Sequence, residues 1–110
     1  MNTNDIPLAA KLAVLIEAGR AANPDLRQGQ CALLVDKWAC ALGFACLGNG
    51  KTRDEVAALG GMSWKAIYSA IGIFDDGLIR SVWTANDRGA SLDKIVRDLR
   101  ARESVAATAL

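Results

Sequence analysis

Apolar residues recur at helical spacing through most of the chain. Leu8, Leu12, Leu15 and Ile16 share one face of a segment that the pattern predicts to be helical from about Ile6 to Ala22. Asp5 is placed to cap it, and Pro7 is tolerated in a first turn. Asn23-Pro24 ends it, because the residue before a proline is driven out of the helical region. Leu26 to Gln30 reads as a polar connection. From Ala32 to Leu47 only Asp36 and Lys37 are charged, so a second predicted helix is apolar almost all round and belongs at the centre of a bundle. Gly43 is a close-packing point within it, or else a kink, and Gly48-Asn49-Gly50 breaks it. A later helix begins near Asp75 or Asp76 and carries Leu78, Ile79, Val82 and Trp83 on one side. Asn86-Asp87-Arg88-Gly89 reads as a turn, and Ser91 caps a final helix in which Leu92, Ile95, Val96 and Leu99 share a face. Residues 104–110 are expected to form a frayed tail. The predicted fold is an all-α, compact, single-domain bundle of five to six short helices over residues 1–103.

The remaining two helices form a hairpin from Thr52 to Ile71. Thr52 followed three residues later by Glu55 is a capping box, and Val56, Ala57 and Leu59 supply an apolar face. Gly60 and Gly61 break the first helix, and either can take a positive φ. Ser63 caps a second helix with Ile67 and Ile71 on its inner side. The spelling is that of a helix-turn-helix, whose second helix reads the major groove in DNA-binding proteins.

Two resemblances follow. Thr52, Val56, Ala57, Gly61 and Ser63, with aliphatic Met62 and Ile67, resemble the DNA-reading unit of the lactose-repressor family without gaps. That resemblance implies that Trp64, Lys65 and Ser69 face a groove, with Tyr68 beside them. Over most of the chain, Cys40-Ala41-Leu42-Gly43-Phe44-Ala45, then Ile79, then Asn86-Asp87-Arg88-Gly89-Ala90-Ser91 and Ile95 are similar to a family of small uncharacterised bacterial and phage proteins. Arg27-Gln28-Gly29-Gln30 falls near that family's polar Gln-Gly segment. This second resemblance implies a helical fold and a bacterial, phage or mobile-element origin, and adds no chemistry.

Charge weakens the DNA reading. The net charge is +1, and between Lys51 and Arg80 four bases (Lys51, Arg53, Lys65, Arg80) face four acids (Asp54, Glu55, Asp75, Asp76). Phosphate binding needs a basic excess, and Lys65 is the one charged donor of the second helix. A glycine-turn helical hairpin that only packs would be spelled the same way. The hydrophobic content of 52% is high for so small a domain and points to apolar surface covered by a partner or a second copy.

Catalytic chemistry has few candidates. The chain has no histidine, which removes the commonest general base and metal ligand. Cys31, Cys40 and Cys46 lie in apolar sequence without a Cys-x-x-Cys pair and read as small buried thiols. The Asn86-Asp87 pair lacks a second carboxylate or a histidine nearby in sequence, so a helix-helix turn explains it better than a site. No enzyme, no cofactor and no metal are therefore expected. Met1 to Asp5 carries an acid and no base, unlike a signal peptide, and the apolar run Trp38 to Leu47 falls short of the about 20 residues that a bilayer span needs. The expectation is a cytoplasmic protein without a membrane partner.

Of the three tryptophans, Trp38 and Trp83 are assigned to the core. Trp64 lies in the first turn after a Ser cap, where it is either an exposed interface residue beside Lys65 and Tyr68 or a staple that holds the hairpin down. The functional expectation is a non-catalytic regulatory or inhibitory module that binds a protein, or a second copy of itself, through Trp64, Lys65, Tyr68 and Ser69. The alternative is a helix-turn-helix transcriptional regulator that uses the same residues on DNA.

Overall fold

The computed structural model describes residues 7–30 and 32–109, with side chains up to Arg102. In chain order the elements are α1 (Leu8–Ala22), β1 (Arg27–Gln28), β2 (Leu34–Val35), β3 (Trp38–Ala39), α2 (Ala41–Gly48), α3 (Arg53–Ala58), α4 (Trp64–Ile71), α5 (Asp76–Asp87) and α6 (Leu92–Ala109). The molecule is mostly helical, and it is not all-α. The expected cap Asp5 and the thiol of Cys31 lie outside the described residues, as do the side chains of the expected frayed tail.

The central apolar helix is half as long as its sequence suggests. Every residue from Ala41 to Leu47 is buried, so α2 does occupy the core. Residues 34–39 instead form a β-hairpin: Leu34 and Ala39 point inward, Val35 and Trp38 outward. That alternation has the period of a strand. Asp36 makes the reversal possible at φ 53°, a left-handed conformation that Asp tolerates better than most side chains. β1 adds to β3 in parallel, giving the order β1-β3-β2. Arg27 N–H donates to the Lys37 carbonyl at 2.7 Å and Gly29 N–H to the Ala39 carbonyl at 2.8 Å. Trp38 is therefore a surface residue at 50% exposure, contrary to its assignment to the core.

Three glycines set how closely α2 can be approached. A Cβ at Gly19 of α1 would stand 1.9 Å from the Phe44 carbonyl oxygen, and a Cβ at Gly48 of α2 would stand 1.9 Å from that of Leu15. The two contacts are reciprocal, so the backbones of α1 and α2 touch where Leu12, Ala13 and Ile16 are fully buried. Gly43 likewise lies against the Leu33 carbonyl, where a Cβ would again be 1.9 Å away. The expected close packing at Gly43 is present, and its partner is the start of the hairpin. Cys40 and Cys46 are buried in this core. Burial pushes their thiols up to about 11 and about 12, so both are neutral and unreactive at ordinary pH.

Asn86, 1% exposed, joins four elements. Its Oδ1 accepts from the Ala41 N–H at 2.9 Å and from Gln28 Nε2 at 3.0 Å, and its Nδ2 donates to the Gly29 carbonyl at 2.8 Å. Gln28 extends the network, donating to the Ala90 carbonyl at 2.7 Å and accepting from the Leu92 N–H at 3.1 Å. Asn86 and Asp87 thus belong to the last turn of α5, not to the connection after it. The Gln-Gly segment and the Asn-Asp pair, far apart in sequence, meet here. α6 then runs antiparallel to α1, strapped by Arg20–Asp93 and Arg100–Glu17, both at 2.6 Å.

Candidate functional site

The α3–α4 hairpin forms as its caps prescribe. Thr52 Oγ1 accepts from the Glu55 N–H at 3.1 Å, and the Glu55 carboxylate accepts from the Thr52 N–H at 2.9 Å. That second bond holds the Glu55 carboxyl below its ordinary pKa. Of the two central glycines it is Gly61 that takes the positive φ, at 84°. Ser63 Oγ accepts from the Ala66 N–H at 3.4 Å to start α4, and Gly72 ends it in the left-handed region. Arg53 anchors the hairpin to the α1–β1 connection with a two-pronged contact to Asp25 at 2.5 and 2.9 Å, which keeps the Asp25 carboxyl well ionised.

The four residues singled out from the sequence all lie on α4, but on two faces. Trp64 and Tyr68 turn toward α5. Trp64 meets Trp83 edge-on with ring centroids 5.6 Å apart, and the Arg80 guanidinium lies 4.6 Å above the Trp64 ring. The Tyr68 hydroxyl donates to Asp76 Oδ1, which also pairs with Arg80 at 2.7 Å. Trp64 is accordingly half-buried, closer to the stapling alternative than to the exposed one, and Trp83 is partly buried against the core. Lys65 and Ser69, also four residues apart, face outward. Trp64→Ala should cost about 2 kcal/mol, less than the 3–5 typical of a fully buried tryptophan, whereas Lys65→Ala should stay within about 0.5 kcal/mol. Urea unfolding of the two variants checks this; equal effects would mean that Trp64 is not part of the α4–α5 packing.

Large apolar side chains are exposed at both ends of α4. Met62, just before it, is 56% exposed and Phe74, just after it, 68%. A groove of about 430 Å³ between α3 and α4 is lined by Ala58, Leu59, Met62, Ala66 and Ser69, with Lys51 and Glu55 at its border.

Sequence reasoning missed a second surface. In the sheet register Arg27, Trp38 and Val35 stand side by side on the exposed face. Gly29 keeps the space beside Trp38 open, since a Cβ there would lie 3.0 Å from that of Trp38. The signal for it was a Val and a Trp flanking a two-residue Asp-Lys turn. It was hidden because the surrounding apolar run suits a buried helix equally well.

Among the described residues, no group of three or more His, Cys, Asp or Glu is placed to hold a metal ion. Nor is any described helix long and apolar enough to cross a membrane. No family model, curated protein or solved structure matches the chain.

Proposed function

We propose that this protein is a cytoplasmic, non-catalytic regulatory or inhibitory module that binds another protein through the outer face of α4. One observation carries the reading: Met62 and Phe74 are exposed at the two ends of the helix that presents Lys65 and Ser69. Exposed apolar side chains around a small polar centre suit a protein interface. They do not suit a phosphate backbone, and the acids Glu55 in the first turn of α3 and Asp75 and Asp76 at the start of α5 oppose one. Trp64 and Tyr68 then serve the surface by holding α4 on α5. DNA binding by the same face is the alternative, favoured by the exposed Lys65 and Ser69 on the second helix of the hairpin.

A photo-crosslinking amino acid in place of Lys65, irradiated in producing cells, tests the proposal. A dominant protein adduct is expected, and Met62→Asp with Phe74→Asp should remove it while the helical circular dichroism is kept. Adducts to DNA, or a protein adduct indifferent to those two substitutions, would sink it. In parallel, a fluorescent DNA duplex should show no anisotropy change with micromolar protein at about 50 mM salt, where electrostatic binding is strong.

A further inference from the structure

A groove of about 810 Å³ runs between α1 and α6, on a surface distinct from α4. Its apolar lining is the half-buried Val96 with the exposed Ala21 and Pro24, over the buried Ile16, Leu26 and Leu92. Its rim is cationic. Arg20 of α1 and Arg97 and Arg100 of α6 stand along it, with Glu17 and Asp93 as the acids. Arg20 is paired with Asp93 and Arg100 with Glu17, while Arg97 makes no ion pair among the described residues. An adjoining recess of about 220 Å³ shares Arg20, Leu26, Leu92 and Asp93 and adds Arg27, which also makes no ion pair among the described residues. The continuous surface therefore sets four arginines against two carboxylates, an excess of two on a chain whose net charge is +1.

We propose that this groove seats an acidic amphipathic helix of a protein partner. Two antiparallel helices with an apolar floor are the seat a third helix packs into, with its own apolar stripe at i, i+4 and i+7. Asp93 to Arg100 spans about 10 Å at 1.5 Å per residue, enough for two turns of the incoming helix. All four cations are arginines, whose planar forks match carboxylates. The residues they would exchange are exposed: Glu17 and Asp93 are 52% and 82% accessible, so their present pairs are weak and give way at little cost. A nucleic-acid backbone would leave Val96 and the apolar floor unused and would meet Glu17 and Asp93.

Selection from a display library of randomised helical peptides of about 14 residues against the full chain tests this. Enriched peptides should carry aliphatic residues at i, i+4 and i+7 with Asp or Glu beside them. By fluorescence anisotropy their binding should weaken about tenfold in Arg97→Glu, and Asp or Glu to Lys changes in the peptide should recover part of it. Met62→Asp with Phe74→Asp should leave this binding unchanged, which separates the groove from the α4 surface. No enrichment, enrichment without acidic residues, or peptides indifferent to Arg97→Glu and Arg27→Glu would overturn the proposal. So would tighter binding of a single-stranded oligonucleotide or of phosphatidylglycerol vesicles than of the selected peptides.

Discussion

Gly19→Ala and Gly48→Ala are each expected to destabilise the protein by about 3 kcal/mol or more, at or beyond the upper end of overpacking effects. The reason is what the added methyl meets. At both sites it is a backbone carbonyl oxygen 1.9 Å away on the opposing helix, and a helix backbone cannot rotate aside as a side chain can. α1 and α2 would have to separate, opening the core around Leu12 and Ile16. Gly43→Ala pushes α2 off the Leu33 carbonyl in the same way. Thermal unfolding should show a fall of about 12 °C or more for a domain of this size. Gly77→Ala is the control of opposite sign. In the first turn of α5 a Cβ at this position lies 3.7 Å from Asp75 Oδ1, an ordinary contact, so alanine should stabilise by about 0.5–1 kcal/mol. A mild effect at Gly19 and Gly48 would refute the backbone contact between the two helices.

Asn86→Ala is the second large effect, at about 3 kcal/mol or more. The substitution strips the buried Ala41 N–H of its acceptor and the Gly29 carbonyl of its donor, and it takes from Gln28 one of its two acceptors. Unsatisfied buried groups cost more than the bonds they lose, and here they sit where β1, α2, α5 and α6 converge. Asn86→Asp separates the hydrogen bonds from the volume. An aspartate can still accept from Ala41 and Gln28, but it faces the Gly29 carbonyl with an oxygen unless protonated. Burial raises its folded-state pKa above the unfolded value of about 3.9. The variant should therefore come closest to the natural protein's stability below that pH and lose ground as pH rises through the folded-state pKa. Urea titrations of both proteins across pH 3–7 measure it; a pH-independent difference would show that the carboxyl is solvated and the network is not a buried one.

The helix starts were legible because a cap is a contract between residues three apart. Thr52, Ser63, Asp75 and Ser91 each accept the N–H three residues on. Gly43 could be recognised as a packing point from its place in an apolar run, although not what it packs against. The candidate face was legible only in part. Lys65 and Ser69 are exposed as their positions suggest, but Trp64 and Tyr68 depend on Arg80, Asp76 and Trp83 of α5, which local spacing does not bring near.

Residues 34–39 show most clearly where local information runs out. Leu33 to Ala39 is apolar enough to be a buried helix, and over so few residues the periods of helix and strand are not distinguishable. What decides for the strand is β1, which donates from Arg27 and Gly29 to the carbonyls of Lys37 and Ala39. Those bonds exist only once α1 has ended at Asn23 and the chain has turned back along the core. The sequence alone determined the caps, the glycine breaks and the apolar stripes, all settled within a turn or two of helix. The tertiary structure alone decided the mixed sheet, the exposure of Trp38, the burial of Asn86 and the arginine-rimmed groove. Each of these needs backbone or side-chain partners from segments that only the packed core brings together.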